Sequence, residues 1–377
     1  MAQKLLSIVV PTKNRYYYLK YLIGLINNLH SDEIEMVIQD NSDDNSEILE
    51  YLEQNRYEFI RYDYTKGQIP MSDNSDKGIL NSTGEYICFL GDDDGVTKYL
   101  LEGVKWMKKN GIEAVKPAHL NYFWPDAPQG NAAIISHKDF TGKVEFRNPK
   151  EELIKVLKGG IQGRGDMPLA YHAVVCREAM NKVYEKCGTF FPGNSPDISN
   201  AVALSLVVEK FALVDLPWGY SGNSAYKGGG VFASGNAIPM ISDIPWFRPN
   251  SEVRWDKKLP RIAIGNLIWA DSALEALNNM GMETLRNKFD LYLCYANLIS
   301  SKPELKKYVD EVCSNSVKLY LYLTLVYAKK ISNAIILRFK KICHFKPSIM
   351  IEKDINNIVQ ATSKLEILSD GIMHLNH

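Results

Sequence analysis

The 377-residue chain carries 44 basic and 44 acidic residues, so its formal net charge is zero, and 46% of it is hydrophobic. That length can bury a substantial core and points to two domains or one domain with a large extension, while the charge balance offers nothing global for nucleic acid. Six scattered cysteines, Cys88, Cys176, Cys187, Cys294, Cys313 and Cys343, lack Cys-x-x-Cys spacing, which argues against a zinc ribbon or a disulfide framework and suits a reducing compartment.

Leu5 to Val10 reads as a buried strand stopped by Pro11, and Tyr16 to Leu29 as a helix through Leu19, Leu22, Ile23 and Ile26. The first apolar run is too short for a signal peptide, and no segment has the uninterrupted apolar length to span a bilayer. Ile34 to Gln39 is a second strand running into Asp40-Asn41-Ser42-Asp43-Asp44, with a helix after it through Ile48, Leu49 and Leu52. Tyr57 to Tyr62 is a third strand, followed by a loop at Gly67 and a helix near Ser72 to Asn81. Thr83-Gly84 then turns the chain into Ile87-Cys88-Phe89-Leu90, which ends abruptly in Gly91-Asp92-Asp93-Asp94-Gly95. Such alternation implies a mainly parallel sheet covered on both faces, with ligands beyond the carboxyl ends of its strands. Pro11 to Arg15, Asp40 to Ser42 and Asp92 to Asp94 all fall at such ends, so one crevice collects all three clusters.

Three adjacent carboxylates repel one another, and hard oxygen ligands with vacant positions suit Mg²⁺ or Mn²⁺ held against a diphosphate. The competing explanation is that they begin the helix expected near Thr97, since Asp is common at helix starts. Farther on, 118 to 150, with Trp124-Pro125-Asp126, reads as a long loop or small hairpin region that could help admit an acceptor. Gly159 to Gly165 lacks the Gly-Lys-Ser/Thr of a phosphate-cradling loop and reads as flexible backbone. Ser221 to Gly230 is either a mobile element able to close over a diphosphate or an ordinary surface loop.

Ile8 to Arg15, Gln39 to Asp43, Asn81 to Ile87 and Asp92 to Asp94 resemble the successive motifs of family 2 glycosyltransferases with the GT-A fold, over about the first 110 residues. The resemblance implies an α/β, Rossmann-like GT-A domain over 1–248. The helical segments after it, including Ile262 to Leu277 and Leu285 to Leu298, make a C-terminal accessory domain over 249–377. By resemblance, Pro11, Thr12, Asn14, Arg15 and Asp40 hold the nucleotide, joined by Asn74 near the diphosphate and Asp92 at the donor ribose. Asp93 and Asp94 are the metal residues, with Asp93 first. The usual Asp-x-Asp-Asp pattern stands here as Gly91-Asp92-Asp93-Asp94, without its first aspartate. Where many relatives have Arg-Asn, this chain has Asp73-Asn74, so Lys66, Lys77 or Arg15 supplies the missing positive charge.

An inverting transferase needs a base near the acceptor hydroxyl. Pro168 to Arg177 and Asn194 to Ile198 resemble segments of bacterial surface-polysaccharide members, which makes Asp197 that base; the alternative is a helix cap before Val202 and Leu204. His172 has no spacing that marks it as a ligand and is assigned a structural or acceptor-side role. The implied enzyme is cytoplasmic and moves a sugar from a nucleotide-sugar donor, most simply a UDP-sugar, to a growing bacterial surface glycan, free or lipid-linked. Between 317 and 346 lie seven Lys or Arg and no acidic residue, interleaved with Leu, Tyr and Ile. That pattern suits an anionic membrane surface at the cytoplasmic face of the inner membrane; a packed helix or a homo-oligomer contact is the alternative. A sugar-phosphate nucleotidyltransferase would open on Gly-Gly-x-Gly-Thr-Arg rather than Pro11-Thr12-Lys13-Asn14-Arg15. A silent nucleotide-sugar-binding or scaffolding subunit is the remaining alternative.

Overall fold

The structure is a computed structural model describing residues 3–128, 132–225, 238–342 and 349–372. Four strands begin the main sheet: β1 (Leu6–Thr12), β2 (Ile34–Asp40), β3 (Ile60–Tyr64) and β4 (Tyr86–Phe89). They run parallel in the order β3-β2-β1-β4. Residues on both faces of β2 and β4 are buried, as expected of strands covered by helices on each side. Three helices connect them: α1 (Tyr16–Asn27), α2 (Ser46–Asn55) and α3 (Met71–Leu80). The third strand starts three residues later than its composition suggests. It is an edge strand with alternate burial, and Tyr57 and Phe59 pack beside the core ahead of it.

Beyond β4 the chain makes β5 (Gly95–Val96), α4 (Tyr99–Asn110), β6 (Ala114–Pro117), β7 (Asn121–Phe123), β8 (Ile134–His137) and β9 (Val144–Arg147). After α5 (Pro149–Lys158) come β10 (Val174–Cys176), α6 (Arg177–Cys187), α7 (Pro196–Leu204), β11 (Phe211–Val214) and β12 (Gly219–Asn223). The eight-stranded sheet is completed as β4-β10-β6-β11-β9, with β10 antiparallel to both its neighbours. The short β5 removes the aspartates from any helix start: α4 begins only at Tyr99, because Gly95 pairs with Tyr220 and the amide of Thr97 donates to Trp218 O at 3.1 Å. The 118–150 region supplies strands to both sheets.

A second sheet, β13-β8-β7-β12-β5, draws its last member, β13 (Met350–Glu352), from far along the chain. The helix Ile358–Ser369 follows it and packs on α1 and β5, where Tyr220 Oη donates to Ile358 O at 2.7 Å and Thr362 Oγ1 to Val96 O at 2.8 Å. A separate core joins α5 and α7 to the helices Gly265–Asn279 and Leu291–Ser301 and to one face of the helix Ser316–Ile342. Packing therefore crosses residue 248 in both directions. The five described cysteines are free. Among the described residues no helix is long and apolar enough to cross a membrane. Ser221 to Asn223 belong to β12, and residues 226–237 of the glycine-rich segment lie outside the described residues.

Candidate functional site

The carboxyl ends of β1 and β4 bring Thr12, Arg15 and the three aspartates together. Thr12 Oγ1 donates to Asp92 Oδ2 at 2.7 Å. Arg15 lies across the next two oxygens, its Nε 3.2 Å from Asp92 Oδ1 and its Nη2 2.7 Å from Asp93 Oδ2. It also donates to Ser224 Oγ at 2.8 Å, and Ser224 donates in turn to Asp93 Oδ2 at 2.7 Å. Asp94 is enclosed: His172 Nε2 stands 2.6 Å from Oδ2, the Gly91 amide donates to the same oxygen at 2.5 Å, and the Gly222 amide donates to Oδ1 at 2.8 Å.

Charge follows that geometry. Burial pushes the Asp92 carboxyl up, Arg15 opposes the shift and Asp93 adds to it. Burial alone would raise Asp94 as well, yet His172 and the Gly222 and Gly91 amides hold it below the usual carboxylate range. Arg15 is raised despite its burial, because Asp92 and Asp93 face it.

The second sheet carries this cluster. Trp124, fully buried, donates its indole N–H to Asp93 O at 2.9 Å. Gly222 packs so closely that an added Cβ would lie 1.7 Å from Asp93 O, a contact that backbone on both sides cannot relieve. Gly222→Ala is therefore expected to destabilise the fold by about 1–3 kcal/mol, as overpacking does, measured by chemical denaturation. A variant of unchanged stability would mean that this contact is looser than described.

On the nucleotide side, Asn14 has a φ of +56°, and its side chain pairs with Asp43 in both directions: Nδ2 donates to Asp43 Oδ2 at 2.8 Å, and the Asp43 amide donates to Oδ1 at 2.9 Å. Asp40 is fully buried, accepting from Tyr16 Oη at 2.6 Å, Tyr62 Oη at 2.8 Å and the Ser42 amide at 2.8 Å. Pro11 lies in β1 itself. Asn74 is buried in α3; its Nδ2 reaches Gln39 O at 3.4 Å and its Oδ1 has no hydrogen-bond partner. Of the cations considered for the place left by Asp73, Arg15 lies on the aspartates and Lys77 on Thr65 Oγ1, while Asp73 itself pairs with Arg248 at 2.7 Å.

Asp197 occupies the first turn of α7, one residue inside the Pro196 start, with Ser195 at the cap position. Its Oδ1 accepts from Ser195 Oγ at 2.6 Å and the Ile198 amide at 2.8 Å; its Oδ2 faces Arg164 Nη1 at 3.8 Å. That nitrogen is buried with no hydrogen-bond partner. The Arg164 guanidinium lies 5.7 Å over the Tyr171 ring. The Tyr171 phenol is pushed far up, first by burial and then by Asp94 and Asp93, with Arg164 opposing and Asp197 adding to the shift. His172 precedes β10, with a φ of +58°. His119, near it, is pushed down to about 4 by burial and then by His172, Arg164 and Lys116.

The donor set fits a divalent ion. Its oxygens are hard, Asp92 Oδ1 is buried without a hydrogen-bond partner, and Asp92 and Asp93 already converge on one cationic group. Among the described residues no three His, Cys, Asp or Glu side chains converge on one point; a Mg²⁺ site built from one or two carboxylates plus substrate phosphates needs no third. Asp94 differs from the other two in its partners: His172 and the Gly91 and Gly222 amides hold it, whereas Asp92 and Asp93 share Arg15. Trp124, Gly222 and Ser224 lay in segments read only as loops that could serve the site, and no local signal singled out Arg164 or Tyr171; contacts between residues far apart in sequence bring them beside the candidate residues.

Residues 7–173 match the family model described as Glycosyl transferase family 2. Over 95 residues, 24% of its length, the chain is 32% identical to the GalNAc(5)-diNAcBac-PP-undecaprenol beta-1,3-glucosyltransferase of Campylobacter jejuni subsp. jejuni, and it spans 29% of that relative. The S. aureus TarS 1-349 structure in complex with UDP-GlcNAc shares the fold, with a TM-score of 0.51 at 15% identity over 82% of this chain and 79% of that one.

Proposed function

We propose, for a chain that belongs to glycosyltransferase family 2 through residues 7–173 and has the GT-A fold with a C-terminal helical extension, that it moves a sugar with inversion from a nucleotide-sugar donor to a hydroxyl of a bacterial surface glycan, free or lipid-linked. What carries the reading is the convergence of Thr12, Arg15, Asp92 and Asp93 where β1 and β4 end, the crevice such sheets use for nucleotides. The undecaprenol-linked substrate in the Campylobacter relative's name and the UDP-GlcNAc bound by TarS support a lipid-linked acceptor and a UDP-sugar donor.

In this reading Asn14 and Asp40 shape the nucleotide pocket beside Pro11 and Thr12, Asn74 lies toward the diphosphate, and Asp92 faces the donor ribose. Arg15 supplies the positive charge that Asp73 does not. Asp93, assisted by Asp92, would hold Mg²⁺ or Mn²⁺, with Asp94 fixed behind them by His172 and Gly222. When bound, the ion supplies charge neutralisation for the leaving diphosphate. Asp197 Oδ2, in the first turn of α7, takes the proton of the attacking hydroxyl.

Calorimetric titration of UDP, GDP, CMP and dTDP, each with Mn²⁺ and with EDTA, tests the donor half. One nucleotide is expected to bind at micromolar strength, about −8 kcal/mol, with the metal and much more weakly without it. Failure of all four to bind under both conditions would remove the transferase reading. Binding without turnover of the matching sugar conjugates would favour the silent subunit.

A further inference from the structure

The helix Ser316–Ile342 is half anchored and half free. Leu319, Leu323 and Val326 bury one face of its first half in the second core, and from Tyr327 to Phe339 every residue is exposed. Val317, Leu321, Leu325, Ile331, Ile335 and Phe339 are each more than half exposed. At 100° per residue they fall within about a third of the circumference, opposite the buried face. An apolar stripe this long, some 30 Å by rise per residue, is unpartnered in the described structure.

Charge decides what covers it. The helix holds six Lys or Arg and no Asp or Glu. Lys318 and Lys329 border one side of the stripe and Arg338 the other; Lys330 is tied back to Ser300 O at 2.7 Å. Pairing with the same helix of a second copy would align like charges with no acid to offset them, which disfavours self-association. Spanning a bilayer is also ruled out for this helix, which is not apolar enough to cross one. A helix with an apolar stripe and wholly basic flanks has its complement in an anionic lipid surface, where the stripe enters the acyl boundary and the cations meet phosphates.

We propose that the Ser316–Ile342 helix is an interfacial anchor that lays this protein on an anionic bilayer. The proposal stands independently of the transfer chemistry. It is tested by co-flotation of the full chain with vesicles of phosphatidylcholine alone and of equal parts phosphatidylcholine and phosphatidylglycerol, at low and high salt. Binding is expected only to the mixed vesicles and is expected to weaken in salt. Lys329→Gln with Arg338→Gln should lower the partition coefficient about 25-fold, roughly fivefold for each charge. Ile331→Ser with Ile335→Ser, at positions the fold leaves in solvent, should lower it as well with no change in thermal stability. Absence of binding to the mixed vesicles, equal binding to both compositions, or indifference to both double variants would overturn the anchor. So would a concentration-dependent dimer in solution that the Ile331→Ser, Ile335→Ser variant abolishes, since the stripe would then be covered by a second copy.

Discussion

Asp197→Asn is expected to lower sugar transfer by about 10²–10⁴-fold, the usual contribution of a positioned base, while leaving nucleotide binding and folding stability as they are. The substitution keeps the shape of the group, and the Asn carbonyl oxygen still accepts from Ser195 Oγ and the Ile198 amide, the two bonds that fix Asp197 Oδ1. What it removes is the basicity of Oδ2, the oxygen turned toward Arg164. Steady-state rates with the cognate donor, measured beside nucleotide titrations and a denaturation curve, separate the two roles. A role confined to the start of the helix would show itself as near-normal turnover, because Asn keeps the same accepting oxygen. Normal turnover and normal stability together would take Asp197 out of the reaction altogether.

Asp93→Ala carries the second large effect. It deletes the carboxylate shared by Arg15 and Ser224 and is expected to weaken metal-dependent nucleotide binding at least 100-fold, equivalent to about 2.7 kcal/mol. Turnover should fall by about 10²–10³-fold or more, as when one preorganised electrostatic partner of a developing charge is removed. Asp93 is one of the charges that push Asp92 up, so its loss should also let the Asp92 carboxyl fall toward its ordinary value; carboxyl titration by NMR reads that change without reference to activity. Retained metal-dependent binding in Asp93→Ala would move the ion to Asp92.

The strand ends were the legible part of this site. Repeated alternation and abrupt stops at Pro11, Asp40 and Gly91 located the crevice, because in a parallel sheet each stop is a local event and all of them share one edge. Arg15 was named by resemblance as a nucleotide residue and as one of three candidate cations, yet its bridging of Asp92 and Asp93 is a matter of geometry that no spacing encodes. The inserted antiparallel strand β10, which carries His172 onto Asp94, has no signature that separates it from a parallel strand of the same composition. Gly222 lay inside a glycine-rich stretch open to a mobile reading, and only the pairing of β12 with β5 and β7 shows why a side chain is forbidden there. The β13–β8 pairing joins residues more than 200 positions apart, a distance over which residue patterns carry no register.

That late pairing sets an order of events during synthesis. Domains generally fold as they leave the ribosome, early segments first, but β5 and β12 meet Thr362 and Ile358 only after the far end of the described chain has been made. Since β5 follows Asp94 directly and β12 seats Gly222 against Asp93, the helix that backs these two strands is the last layer behind the aspartates to be synthesised.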